Sequence, residues 1–277
     1  MRGIEKLIEP QSTRRPQPKR PLRGLFCPPS LSYKHVMNIA PNDRPQRRRI
    51  PHRMETERLC LRGYNPDDAE VLRSTVASNA EHLGTFMPWI QYEPQTLEQK
   101  IDLILGFRSE YDADRNLVMG IFCRATGQLL GGTGLHPAGN SREADSDGSG
   151  PMELGYWIGQ AHEGNGYVTE SVSALTVVAF RFRPLERMVI RMEPANTSSE
   201  SIAKMLGFQY EGTTRRSIAY PNDADPSQRR DAKVYSMLRD EFERAPWRAK
   251  SELGLSTWDA MGQPVAVIPP AAPLAGF

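Results

Sequence analysis

ELGYWIGQAHEGNGYVTESVSALT, residues 153–176, is the stretch whose reading decides the fold. Leu154, Tyr156 and Ile158 alternate with Gly155, Trp157 and Gly159, the period of two that marks a strand. Further on, Val172, Leu175, Thr176 and Ala179 recur at three- and four-residue spacing, which is one face of a helix. Between them lies His162-Glu163-Gly164-Asn165-Gly166-Tyr167, with two glycines one residue apart. Glycine at such a junction lets the backbone turn tightly and lets a ligand approach bare amides. The helix N-terminus adds unpaired N–H groups and the positive end of a dipole, so the loop reads as an anion cradle that a diphosphate would fit. A dinucleotide fingerprint is excluded, because Thr169 stands where a third glycine or alanine is needed. The glycine-rich loop of nucleoside triphosphatases, GxxxxGK[ST], occurs nowhere in the chain.

Upstream of this stretch, Gly139 to Gly150 is a polar loop without core residues. Before it, Leu117 to Arg124 and Gln128 to Leu135 read as strands joined at Thr126-Gly127 in a hairpin. Thr96 and Gln99 form a capping box for a helix whose expected buried stripe is Leu97, Ile101, Ile104 and Leu105. His82 to Trp89 reads as a rigid aromatic loop. Asn65-Pro66 opens another helix, with Asp67 and Asp68 in its first turn and Ala69, Leu72, Val76 and Ala80 expected toward the core. Arg58 to Arg62 alternates as a strand with Leu59 and Leu61 on one face. Downstream, Arg187 to Met192 is a short strand with Val189 expected to be buried. Asn196 to Leu206 is a helix that Gly207 stops. Gln209 to Thr214 and Lys233 to Leu238 are two further strands around a turn-rich Pro221 to Pro226. The order β-α-α-β-β-β-α-β-α-β-β predicts an α/β (α+β) domain, a mixed and mostly antiparallel sheet with helices on both faces.

The 277 residues suit one domain with tails. Residues 1–53 hold 13 Lys and Arg against 3 Asp and Glu, a surplus of 10 positive charges; the remainder holds 22 against 30, a deficit of 8. The first segment (RRPQPKRPLRG, DRPQRRRIPHR) has no apolar periodicity, and its prolines forbid a continuous helix. It is expected to be a disordered extension, either an arm for nucleic acid or the ribosome or an inert solvated one. A mitochondrial presequence is opposed by the same prolines. The folded domain is expected over residues 54–245, and the Pro, Ala and Gly after Pro246 suggest a loosely packed tail to 277. No run of 18 apolar residues predicts a membrane span, and Met1 to Pro10 lacks the apolar core of a secretory signal, so a cytoplasmic protein is expected. Cys27, Cys60 and Cys123 suit a reducing compartment, and neither they nor the five scattered histidines have metal-ligand spacing.

ELGYWIG, then the GxGYxTE loop, then a long apolar helix resembles the acetyl-coenzyme A core of the GNAT acyltransferase superfamily. In detail it is most similar to the branch that acetylates protein N-termini, typified by the ribosomal-protein-alanine acetyltransferases. The resemblance covers about Glu55 to Glu243 and implies acetyl-CoA as co-substrate. Its diphosphate would lie on His162, Glu163, Gly164, Asn165, Gly166, Tyr167 and Thr169, and its pantetheine arm along the edge of Tyr156, Trp157 and Ile158. The resemblance further implies that Glu153 takes the amine proton, directly or through water, and that Ser199 protonates the departing thiolate. Asn196 would contact the pantetheine, and Met87-Pro88-Trp89 would wall the acceptor pocket. One departure is Ala161, where the superfamily often carries Gln or Arg.

Amide formation from a thioester needs a neutral amine, support for the oxyanion and a proton for the thiolate. An α-amine with a pKa near ~7.8 costs about 1 kcal/mol to deprotonate at pH 7, against roughly 4.6 for a lysine near ~10.4. One strand carboxylate suits the cheaper proton, and the acidic body would attract a basic peptide. The expected activity is N-acetyl transfer to an α-amino group of a protein or aminoacyl compound. Acetylation of a small amine such as an antibiotic is the alternative. An acetyl-CoA-sensing, nucleic-acid-associated protein is a third reading, opposed by Glu153 and Ser199 occurring together.

Overall fold

The computed structural model describes residues 47–138, 149–219 and 229–267. The chain divides into two units, Met1–Asn42 and Asp43–Phe277, and every described residue belongs to the second. The basic arm through residue 46, the loop residues 139–148 and the Pro221–Pro226 turn lie outside the described residues.

The strand–loop–helix stretch forms as its pattern dictates, as β5 (Met152–Ile158) and α4 (Tyr167–Phe182). Upstream are β1 (Arg53–Glu55), β2 (Leu59–Arg62), α1 (Ala69–Ser78), α2 (Ala80–Gly84), α3 (Leu97–Asp112), β3 (Leu117–Cys123) and β4 (Leu129–Pro137). Downstream are β6 (Arg187–Met192), α5 (Thr197–Met205), β7 (Gln209–Ile218), β8 (Arg230–Leu238), α6 (Arg239–Arg244), α7 (Arg248–Leu253) and β9 (Ser256–Trp258). The strands form one sheet in the order β7-β8-β6-β5-β4-β3-β2-β1-β9. Every neighbouring pair is antiparallel except β5 and β6.

The two faces of the sheet bury different sets of residues. Leu117, Met119, Ile121, Leu135, Leu154, Met188 and Ile190 pack with α4 into the larger core. That helix is apolar on nearly every side because α6 and α7 cover its back, with Phe180 stacked on Phe242 at 4.7 Å. The opposite face packs Leu72 and Val76 of α1 and Ile104 of α3 against Tyr64, Phe122 and Leu129. Two expected termini form, while Asn65-Pro66 opens a 3-10 turn before α1 and the Asn65 oxygen accepts from Arg108 at 3.1 Å rather than capping the helix. Thr96 and Gln99 close the capping box, and Gly207 stops α5 at φ +84°.

Several expectations need correction. His82 to Trp89 is not a plain loop: α2 covers its start and a 3-10 turn, Pro88–Tyr92, its end. Ala80 is exposed. On α3, Ile104 is buried and Ile101 packs against the core as expected, but Leu97 and Leu105 are 43% and 49% exposed, and Lys100 and Tyr111 are buried in their place. A lysine reads as solvated in sequence, but here Glu93 meets its ammonium below the helix. The chain also enters the domain before residue 54, since Ile50 is buried and Arg48 lies over Phe182. After Pro246 the chain packs through residue 267. Trp247 Nε1 donates to Leu206 O at 2.9 Å, Leu255 and Val267 are buried, and β9 pairs with the otherwise open edge of β1. Composition favoured a loose tail, but an unpaired sheet edge recruits any segment that can satisfy it.

Lys100 is 1% exposed and ion-paired to Glu93, so removing one partner leaves a buried charge uncompensated. Glu93→Ala should cost about 3–5 kcal/mol, which for a domain of this size lowers the melting temperature by on the order of 10 °C. Glu93→Gln combined with Lys100→Met should recover most of that loss. A calorimetric scan in which Glu93→Ala melts with the parent would show that the pair is not buried in solution.

Candidate active site

β5 and β6 pair at only two positions, Met152 with Met188 and Glu153 with Val189. Beyond them the two strands part, β5 continuing to Ile158 and β6 to Met192. The edge of β5 from Leu154 onward therefore faces no strand on that side. Such an edge accepts an extended, amide-bearing chain as an added strand. Strand alternation then divides the side chains around the gap. Leu154, Tyr156 and Ile158 turn toward α4, and Glu153, Gly155 and Trp157 toward α1 and α3.

At the far end of β5 the chain passes through the two-glycine loop. Gly164 and Gly166 have φ of +73° and +75°, a left-handed backbone that a side chain would strain. Among the described residues the amides of Gly164, Asn165 and Gly166 donate to no other group, and they lie at the N-terminus of α4. Asn165 braces the loop by donating to His162 O and Glu163 O. His82 reaches Glu163 from α2 at 3.5 Å. The structure adds Arg58, which sequence reading left as a strand residue. Its guanidinium donates to Asn165 O at 2.9 Å and to Glu170 at 2.6 Å, and lies over the Tyr167 ring. It neutralises the acid in the first helical turn and places a cation beside the cradle. Thr169 is half-buried in that same turn.

On the α4 side of the gap, Tyr156 Oη and Ser199 Oγ lie 2.7 Å apart. Burial pushes the Tyr156 phenol up to about 12, against the pull of its bond to Ser199, so it stays protonated and able to donate. Ser199 is buried at the start of α5, and Asn196 caps that helix by accepting from Ser199 N at 3.0 Å. The Asn196 oxygen is thereby used in the cap, and the residue borders the gap. Sequence reading named Ser199 but not Tyr156 as a proton-bearing group.

A cavity of about 890 Å³ fills the gap, bordered by Tyr156, Asn196 and Ser199 on the α4 side and extending between the sheet and α1 and α3. Its walls include Met87, Pro88, Trp89, Tyr64, Phe107 and Trp157, with Glu153, Arg191 and His136 at the sheet. Trp157, expected to border the cofactor along the strand edge, turns its side chain into this cavity, 5.9 Å from Trp89 ring to ring. Only its backbone borders the open strand edge. Ile158 is likewise buried as a side chain. Glu153 is 21% exposed, and its Oε2 accepts from Arg191 Nε at 2.8 Å. The floor beneath is glycine: side chains at Gly132 and Gly134 would run into Trp157 and His136, and one at Gly155 would press on His136. The site thus has an anion cradle, an open strand edge, a hydroxyl pair on one face and a walled pocket with titratable groups on the other.

A model described as the Acetyltransferase (GNAT) domain matches residues 58–209. By sequence the chain is similar to the "Putative ribosomal N-acetyltransferase YdaF" of Bacillus subtilis, 27% identical over 188 residues covering 68% of this chain and 94% of that protein. By structure it is similar to RimL, the ribosomal L7/L12 alpha-N-protein acetyltransferase in complex with coenzyme A. That match has 20% identity and a TM-score of 0.57, over 69% of this chain and 98% of that one. It is also similar to Mycobacterium smegmatis RimJ in complex with CoA-disulfide, at 19% identity and a TM-score of 0.59, over 75% and 97%. These structural likenesses carry the fold.

Gly166→Val places a branched side chain on a left-handed residue at the cradle, so coenzyme A should bind at least tenfold more weakly while the far-UV spectrum is unchanged. Arg58→Ala should weaken binding less, with the difference shrinking as salt rises. Isothermal titration measures both. Parental affinity in Gly166→Val would remove the loop from the binding site.

Proposed function

The chain belongs to the GNAT acetyltransferase family, and from that premise we propose that it moves the acetyl group of acetyl-CoA to the α-amino group of a protein N-terminus. The observation that carries this reading is the parting of β5 and β6. It leaves the edge of β5 unpaired between the glycine loop and the aromatic-walled cavity, with donors on one side and proton acceptors on the other. The diphosphate lies on the amides of Gly164 to Gly166 and near Arg58. The pantetheine amides pair along Leu154 to Ile158, and the amide N–H groups of Asn196 meet the same arm. Free N–H groups of that edge support the carbonyl oxygen as it becomes an oxyanion. Ser199 gives its proton to the thiolate, and the Tyr156 phenol replaces it.

The acceptor enters from the other face, between Met87-Pro88-Trp89 and the β7 end, where Ser217 to Ala219 line the cavity. Its amine meets the Glu153 carboxylate. The similarity to a named ribosomal N-acetyltransferase supports an α-amine of a ribosomal protein over a small amine. An overall basic acceptor is less well supported than net charge suggested. Arg215, Arg216 and Arg229 are exposed near Ser217 and make no ion pair among the described residues. The arm of residues 1–53 would add charge-based contact to a ribosome. Among the described residues no helix is long and apolar enough to cross a membrane, and an N-terminal acetyltransferase of ribosomal proteins would work in the cytoplasm.

Labelled acetyl-CoA should acetylate peptides with a free α-amine, and blocking the N-terminus should abolish incorporation even when a lysine is present. Ser199→Ala should lower kcat on the order of 10²-fold with unchanged affinity for acetyl-CoA. Tyr156→Phe should lose less, since the serine keeps its own proton. Label entering only lysine side chains or small amines would overturn the α-amine assignment.

A further inference from the structure

The cavity holds a titratable group that sequence reading passed over as one of five scattered histidines. His136, near the end of β4, pairs with Glu153 across the antiparallel ladder. Directly opposed residues rise from the same face of a sheet, with Cβ atoms roughly 5 Å apart. The imidazole lies low over the glycine floor. A Cβ at Gly134 would sit 2.9 Å from its Nε2, and one at Gly155 3.3 Å away. Gly155 belongs to the part of β5 that has left β6, so Nε2 lies over the β4–β5 ladder, beside the strand whose other edge is open.

The other ring nitrogen, Nδ1, meets Asn116 Oδ1. An amide oxygen can only accept, so Nδ1 carries the proton and Nε2 presents its lone pair. Among the described residues Nε2 has no partner. The other ionisable groups of the cavity are differently placed. Glu153 is held by Arg191, Glu193 by Arg230, and Glu93 by Lys100; the Tyr64 phenol is buried, and burial pushes its pKa upward. Burial also moves the imidazole below its ordinary range, so it is neutral at pH 7. The cavity therefore has three carboxylates already paired with cations and one neutral base with a free lone pair.

We propose that Nε2 of His136 accepts the first proton of the acceptor amine, while Glu153, tied to Arg191, holds the ammonium in place. This rests on the acetyl-transfer reading above. The N–H bond of the ammonium breaks and an Nε2–H bond forms. The neutral amine then attacks the thioester carbon. As the C–S bond breaks, the thiolate takes a proton from the Ser199 and Tyr156 hydroxyls. The attacking nitrogen loses its second proton, which restores that pair, and the imidazolium releases the first to solvent. Asn116 positions the ring by fixing its tautomer.

Two measurements test this. Long-range 1H–15N spectra of the whole protein, with the His136 signals identified by their loss in His136→Gln, should show the Nδ1–H tautomer and a pKa below ~6.5. The Nε2–H tautomer would overturn the proposal whatever the acceptor is. The second measurement is kcat/KM against pH on an α-amino peptide. His136→Gln should lose on the order of 10²-fold near neutral pH, and the defect should shrink as the amine's own pKa is passed. Imidazole in the buffer should saturably rescue His136→Ala, which a packing role would not allow, with affinity for acetyl-CoA unchanged. Glu153→Gln should raise KM and keep the parental pH profile. The reverse assignment, a pH-dependent loss in Glu153→Gln and a parallel profile in His136→Gln, removes this proposal alone. A parent inactive on every amine removes the acetyl-transfer reading and this proposal with it.

Discussion

The architecture depends on a failure of pairing. β5 and β6 run parallel for two residues and then separate, in a sheet where each other neighbour is antiparallel. An unpaired backbone edge within a sheet is costly unless something satisfies its N–H and C=O groups. The opening is held by what packs on either side. The buried mass of α4 keeps β5 in place, and the antiparallel ladder with β8 holds β6 along its length. The sheet can thus leave its middle open without losing its two halves.

That opening also sorts the chemistry by face. Alternation along β5 sends Tyr156 toward Ser199 and sends Glu153 toward Arg191 and the acceptor cavity. Tyr156 and Glu153 lie only three residues apart in sequence, yet on opposite sides of the backbone. Proton donor and proton acceptor therefore cannot neutralise each other directly. A reaction that removes a proton from one reactant and delivers one to the other is served by that separation.

Much of this was legible in the sequence where the signal is local. Strand period, the two-glycine loop and the apolar helix of residues 153–176 each announce themselves within a few residues, as does the Asn196 cap. What escaped was long-range. Arg58 reaches the loop from 107 residues away in the chain, and Tyr156 meets Ser199 across 43. His136 gains its place only once β4 lies beside β5 and Asn116 comes alongside. The place of the Trp157 side chain also escaped, because a strand segment read as one backbone edge sends its side chains to two faces. Lys100 was missed because its burial depends on Glu93, in a different element. The C-terminal residues were judged by composition, which carries no information about an open edge on β1.

The glycine floor at residues 132, 134 and 155 constrains how such an enzyme can diversify. A side chain introduced at Gly132 or Gly134 collides with Trp157 or His136 before it could meet an acceptor, and one at Gly155 presses on His136. Drift in substrate preference is thereby closed off from below and confined to the roof, where Leu72, Val76, Leu103 and Phe107 descend from α1 and α3 and the Met87-Pro88-Trp89 turn closes the mouth. Those positions lie on helices and a loop that can change without disturbing the ladder. Paralogues with new acceptors would then keep a nearly invariant floor under a variable ceiling, and lineage-specific change should be sought in the roof.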